Sequence, residues 1–272
     1  MQFRPDELEL YYDAESMMRQ RYAELEDLNQ AIAEAAPISS MARNNIEELM
    51  DISWIFHENG LEGVVLTFPE IKAVVDNKIV SDVSLLPTYE DIKNQKYCLD
   101  LLREKAQQKR FNVSINLLKD LHGRLVGDPE LAGSYRRDIP IHRTYFHEIE
   151  QPAKIHSSLG EVLDYINGKK PKDLHPVEFA ANVHHRFLRV YPFSKYSGFL
   201  GRLLAIHVLM RYNFMSVIIH ASDRQAYYEA LRGPENEFRV FFTNTMREGL
   251  ENSLKHLTGS EQLPKKNRRR AS

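Results

Sequence analysis

The stretch Arg189-Val-Tyr-Pro-Phe-Ser-Lys-Tyr-Ser-Gly-Phe-Leu-Gly-Arg-Leu-Leu204 decides how this chain is read. Upstream of it, Val177, Ala180, Ala181, His184, Phe187 and Leu188 recur at three- and four-residue steps and predict a helix with a buried face. Pro192 has no N–H to continue that helix and forces a loop. Ser197-Gly198 opens a second helix carrying Leu200, Leu203, Leu204, Val208 and Met210. A loop feeding a helix N-terminus presents unsatisfied N–H groups and the positive end of the dipole, which suits an anion. By local pattern alone the segment also reads as a plain helix–loop–helix connection.

Working outward, most of the chain carries the same helical signal. Charged residues with apolar steps predict a long amphipathic helix over 5–35, ended by Pro37. Further helices are predicted over 39–56, 68–75, 89–108 and 112–126. His57-Glu-Asn-Gly-Leu-Glu-Gly63 reads as a turn, and residues 76–88 as a loop. Thr67-Phe-Pro-Glu70 has the spacing of a capping box. Ile139–Ile149 is extended in character and predicts a small β-hairpin. Asp173 is the expected cap of the helix before Pro192, and Ser222-Asp-Arg-Gln225 a second capping box. Gly233-Pro-Glu-Asn-Glu237 starts a last helix with carboxylates at its positive end.

Composition bounds the function. In 272 residues there are 36 Lys plus Arg and 38 Asp plus Glu, a formal charge of −2, which excludes an overall basic nucleic-acid binder. The 12 glycines and 12 prolines are few for this length and favour helices. The lone Cys98 permits no intrachain disulfide and no four-cysteine zinc site. No run is apolar and long enough to span a membrane. A cytoplasmic protein without membrane contact is expected. His184 and His185 are adjacent and lack the four-residue step of a helical metal pair, so His184 reads as a core residue and no metal site is assigned. Cys98 reads as inert, and Phe111 with the tyrosines as core. The tail Lys265-Lys-Asn-Arg-Arg-Arg270 is the one place where a nucleic acid could be held by charge.

The motifs and their order resemble the Fic/Doc (Fido) family. Its signature, H-P-F-x-[DE]-G-N-G-R-x-x-R, aligns on 191–202. The preceding H-P-x-x-x-A-x-x-x-H-x-x-F matches His175, Pro176, Ala180, His184 and Phe187. Ile218-Ile-His and Tyr228-x-x-Ala-Leu231 resemble its later helices. Glu62-Gly-Val-Val-Leu-Thr67, with Glu70 beyond, resembles its N-terminal inhibitory stretch, and Gly133-x-Tyr135-Arg136 its G-x-Y-R before a β-flap. The resemblance covers roughly 50–245. It implies an all-α fold with a small β-hairpin flap: an N-terminal helical region over 1–110, a Fic-like core over 111–258 and a basic tail over 259–272.

Against the signature, Pro192, Phe193, Gly198 and Arg202 are kept. The catalytic His becomes Tyr191, the metal-binding carboxylate Lys195, the following Gly and Asn become Tyr196 and Ser197, and the first Arg becomes Phe199. The family transfers part of a nucleotide, usually AMP from ATP, to a protein hydroxyl. That step needs a base with a pKa near 7, and tyrosine at about 10 is a poor one. Mg²⁺ seeks hard oxygen ligands, and Lys195 offers a cation instead. Phe199 removes a phosphate clamp.

The resemblance therefore implies a degenerate member. Tyr191 stands at the catalytic position; Lys195, Ser197, Gly198 and Arg202 remain for phosphate; Glu62 pairs with Arg202 as an inhibitory or structural residue. ATP or another nucleotide is the candidate ligand, without Mg²⁺. The expected role is nucleotide or anion binding or protein interaction, with a protein partner or a second copy of the chain as candidates. The alternative is altered nucleotidyl or phosphoryl transfer to protein hydroxyls or to the chain itself.

Overall fold

A computed structural model describes residues 5–35, 40–76, 86–140, 148–169 and 174–259. The helices are α1 (Pro5–Ala35), α2 (Ser40–Leu61), α3 (Phe68–Val75), α4 (Leu86–Ala106), α5 (Ile115–Val126), α6 (Ile155–Asn167), α7 (Pro176–Val190), α8 (Ser197–Arg211), α9 (Arg224–Arg232) and α10 (Glu235–Thr258). Single 3₁₀ turns at Pro152–Lys154 and Ala221–Asp223 precede α6 and α9. Among the described residues there is no strand. The expected hairpin is not seen: its centre, 141–147, lies outside the described residues, and its flanks are irregular. The ends expected at Pro37 and Asp173, and the basic tail, also fall outside them. Among the described residues no helix is long and apolar enough to cross a membrane.

Local chemistry explains the helix ends nearest the site. Thr67 and Glu70 close a reciprocal capping box on α3. Ser114 Oγ accepts from Leu117 N to start α5, and Gly127 ends it at a φ of 64°. The cap of α7 is His175, whose Nδ1 accepts from Val177 N. The Ser222 box does not form: the N-cap of α9 is Asp223, without a side-chain cap bond, and Ser222 Oγ donates to Asp223 Oδ1.

α8 is the central strut. Every residue from Ser197 to Leu209 is buried, so no amphipathic stripe is present. It packs against α7 and α4, while α10 packs against α1 and α7. The α7–α8 contact is close enough to need a glycine: a Cβ at Gly201 would lie 2.6 Å from Leu188 Cδ2.

Two helices are longer than their sequence signals. α4 begins at Leu86, within the expected loop. α2 runs on to Leu61, through the residues that read as a turn. Tertiary contacts explain that extension. Gly60 is pressed against Ala221, where a Cβ would lie 2.6 Å away. Asn59 Nδ2 donates to Ile55 O and pairs with Gln95 of α4. Arg224 Nε donates to Leu61 O at 2.8 Å. His57 stacks on His220 with centroids 4.4 Å apart.

Candidate functional site

The loop between α7 and α8 is held at both ends by left-handed backbone. Tyr191 ends α7 at φ 45°, ψ 63°, and Tyr196 precedes α8 at φ 59°, ψ 6°. Such conformations cost a residue with a Cβ roughly 1–2 kcal/mol. Inside the loop, Ser197 Oγ accepts from Phe193 N and donates to Phe193 O, each at 2.8 Å. The hydroxyl expected to hold phosphate thus closes the loop on itself. Phe193 is fully buried and stacks on His122 of α5 at 4.1 Å.

Arg136 fastens the loop from outside. Its Nε donates to Tyr191 O at 2.7 Å, Nη2 to Val190 O and Glu150 O, and Nη1 to Asp138 O. The bonds to Val190 O and Tyr191 O satisfy carbonyls left open where α7 ends. Arg136 N donates to Pro192 O and Glu150 N to Arg189 O, which binds both flanks of 141–147 to the same helix end.

Tyr191 is 2% exposed. Lys195 is exposed, and the carboxylate that feels its charge is Asp91 of α4. Burial pushes the Asp91 carboxyl up, and Lys195 pulls it down. Burial, with Asp91 nearby, pushes the Tyr196 phenol up to about 12. Phe199 meets Trp54 of α2 edge-on at 5.0 Å, so an apolar contact fills the position that the resemblance gives to an arginine.

Gly198, Arg202 and Glu62 do come together. Arg202 Nη2 donates to Glu62 Oε1 at 3.0 Å. A Cβ at Gly198 would run into the same Glu62 oxygen, so this carboxylate lies over the first turn of α8. α8 has no side-chain N-cap of its own, and a carboxylate there complements the dipole.

Glu58 was not among the expected site residues. Arg202 Nε donates to both of its oxygens, at 2.8 and 2.7 Å. Both side chains are 3% exposed, whereas that of Glu62 is 30% exposed. Arg202 Nη1 donates to Tyr227 OH at 3.2 Å, and Tyr227 OH is 2.9 Å from His184 Nε2. Burial pushes the Glu58 carboxyl up, against the opposing pull of Arg202. Those neighbouring carboxylates hold the Arg202 guanidinium charged despite its burial. Glu58 escaped the sequence reading because it sits in the segment that read as a turn. Taken as helix, the same segment would put Glu58 one turn before Glu62.

Residues 112–209 match the family model described as Fic/DOC family. Over those residues the chain carries a Fic/DOC-family segment. The protein adenylyltransferase Fic of Nematostella vectensis is 30% identical over 179 residues, covering 65% of this chain and 42% of that protein. The same-named protein of Aedes aegypti is 24% identical, covering 84% of this chain and 46% of its own length. The chain thus spans less than half the length of these curated relatives. Fic-1 from C. elegans superposes with a TM-score of 0.80 at 20% identity, covering 93% of this chain and 77% of that one. A Fic domain-containing signaling protein from Bacteroides thetaiotaomicron gives 0.75 at 22%, covering 87% and 98%. Both structural likenesses show the Fic fold.

The signature loop carries an ammonium, Lys195, where the resemblance puts the metal's carboxylate. Among the described residues no group of three or more His, Cys, Asp or Glu side chains could hold a metal ion. The Glu62 carboxylate that lies over the first turn of α8 is paired with Arg202.

Proposed function

We propose that this chain is a degenerate Fic protein. It works as a protein-interaction module whose anion site is held shut, without Mg²⁺-dependent transfer of AMP to protein hydroxyls. The observation that carries this reading is the pair of substitutions at the loop, a buried phenol at Tyr191 and an exposed ammonium at Lys195. The Glu62 carboxylate, bonded to Arg202, also lies over the first turn of α8. An incoming phosphate would meet a carboxylate of like charge where it needs free N–H groups.

The chemistry of the loop supports the same reading. Tyr191 offers a buried phenol in place of a base that titrates near neutrality. Lys195 offers an exposed cation facing Asp91 and repels a divalent metal. Phe199 is engaged with Trp54. The N-terminal region over 1–110 then carries Glu62, and the Fic-like core over 111–258 carries the signature loop. The lone, buried Cys98 is consistent with a cytoplasmic setting.

The test is incubation of the purified chain with ATP labelled in the α-phosphate, with Mg²⁺ or Mn²⁺, alone and with a pool of candidate proteins. The expected result is no label on any protein, the chain included, above a heat-inactivated control. Steady labelling that scales with the amount of chain would overturn the proposal.

A further inference from the structure

The two carboxylates on Arg202 are not equivalent. Glu58 and Glu62 stand one helical turn apart and reach the guanidinium from the same side. Glu62 takes one Nη2 bond at the accessible edge. Glu58 takes the Nε donor with both oxygens and is as deeply buried as the arginine. Its own helix is held in place by the Asn59–Gln95 pair, the Arg224 bond to Leu61 O and the contact of Gly60 with Ala221.

The charges follow from this arrangement. With both carboxylates ionised, Glu58, Arg202 and Glu62 together carry one net negative charge. Withdrawing Glu62 leaves a neutral pair, which offers an anion no net attraction. Only when both carboxylates are gone does Arg202 stand as a cation. A buried arginine–carboxylate contact is hard to break from one side, because either ion left alone keeps its full desolvation cost.

We infer that Glu58 is the resident ligand of Arg202 and the inner of two locks on this anion site, so that displacing Glu62 leaves the site shut. The inference rests on the reading of α8's first turn as a self-closed anion site. The ligand class is a phosphate or pyrophosphate group, free or as the end of a nucleotide.

The test uses the full chain in four forms: wild type, Glu62→Gly, Glu58→Ser/Glu62→Gly and Glu58→Gln/Glu62→Gly. Pyrophosphate and ADP are the probes, without divalent metal, read by titration calorimetry and by the rise in melting temperature with probe concentration. Wild type and Glu62→Gly should show no concentration-dependent rise. The double variants should rise by several degrees at millimolar probe and bind at least tenfold tighter than Glu62→Gly. A gain seen with both probes assigns the site to the phosphate group itself; a larger gain with ADP adds a contribution from the nucleoside.

The Gln form keeps the shape and an acceptor for Arg202, so it stays informative if the Ser form does not fold. Binding by Glu62→Gly within threefold of the double variants would overturn the inference. So would the absence of binding in a folded double variant. Neither outcome bears on the labelling experiment above, which tests wild-type transfer by itself.

Discussion

The outer and inner ends of the signature loop follow different rules. At the outer end, Ser194 and Lys195 are exposed and Tyr196 half-buried, and only a longer-range charge contact reaches Lys195 from Asp91. At the inner end, Ser197 to Arg202 are wholly buried and each polar group has a fixed partner. The four signature positions that survive include three with plain packing duties. Phe193 stacks on His122, Gly198 has no room for a Cβ, and Arg202 binds two carboxylates. Packing and pairing fix these residues in the fold, whereas Lys195 is exposed and reached only through charge by Asp91.

Breaking the inner end should produce the largest effect. Arg202→Ala leaves Glu58 buried without its cation and should cost roughly 3–5 kcal/mol in urea-induced unfolding. A loss below about 1 kcal/mol would mean that the inner end is not held by charge, and the contrast between the two ends would collapse.

Acid should act next, again from inside. Burial pushes the imidazoles of His122, under Phe193, and His207, bonded to Leu102 O, down to about 4. The unfolded chain takes up those protons first, at about 6.5. Their contribution is therefore complete above that pH and is lost between about 6.5 and 4, on the order of 2 kcal/mol each by pH 5. Stability measured by urea at pH 7, 6 and 5 should fall stepwise, offset in part by Glu58, which burial pushes up to about 7 and which takes up its proton over the same range. His207→Gln should make the fall shallower, and an unchanged slope in that variant would show that this imidazole is not held neutral.

The outer end should respond least. Lys195→Glu removes an exposed ammonium whose pairing with Asp91 is partial, and should move stability by under about 0.5 kcal/mol in thermal unfolding. A shift of several degrees would show that the lysine is built into the loop and sharpen the account of why the carboxylate was given up.

Much of the architecture was legible along the chain. The helix periodicity, the capping box at Thr67, the break at Pro192 and the restart at Ser197 all report local preferences that the neighbours do not override. The left-handed conformation at Tyr196 was not legible. The family signature has a glycine there, which adopts φ 59° without cost, and the loop keeps that shape with a tyrosine. The burial of its ring and the closing Ser197–Phe193 bonds offset the strain.

The sequence by itself determined the helical class, the family and the identity of the altered loop residues, because these depend on residue type, spacing and order. It also named the partners Glu62 and Arg202 from the matched motifs. Only the tertiary structure decided that α2 continues through Gly60, since the contact that allows it comes from Ala221, more than a hundred residues away. That continuation turns Glu58 into the buried partner of Arg202. Which carboxylate a buried guanidinium chooses is set by three-dimensional reach and the exclusion of water, and neither is written in the local sequence.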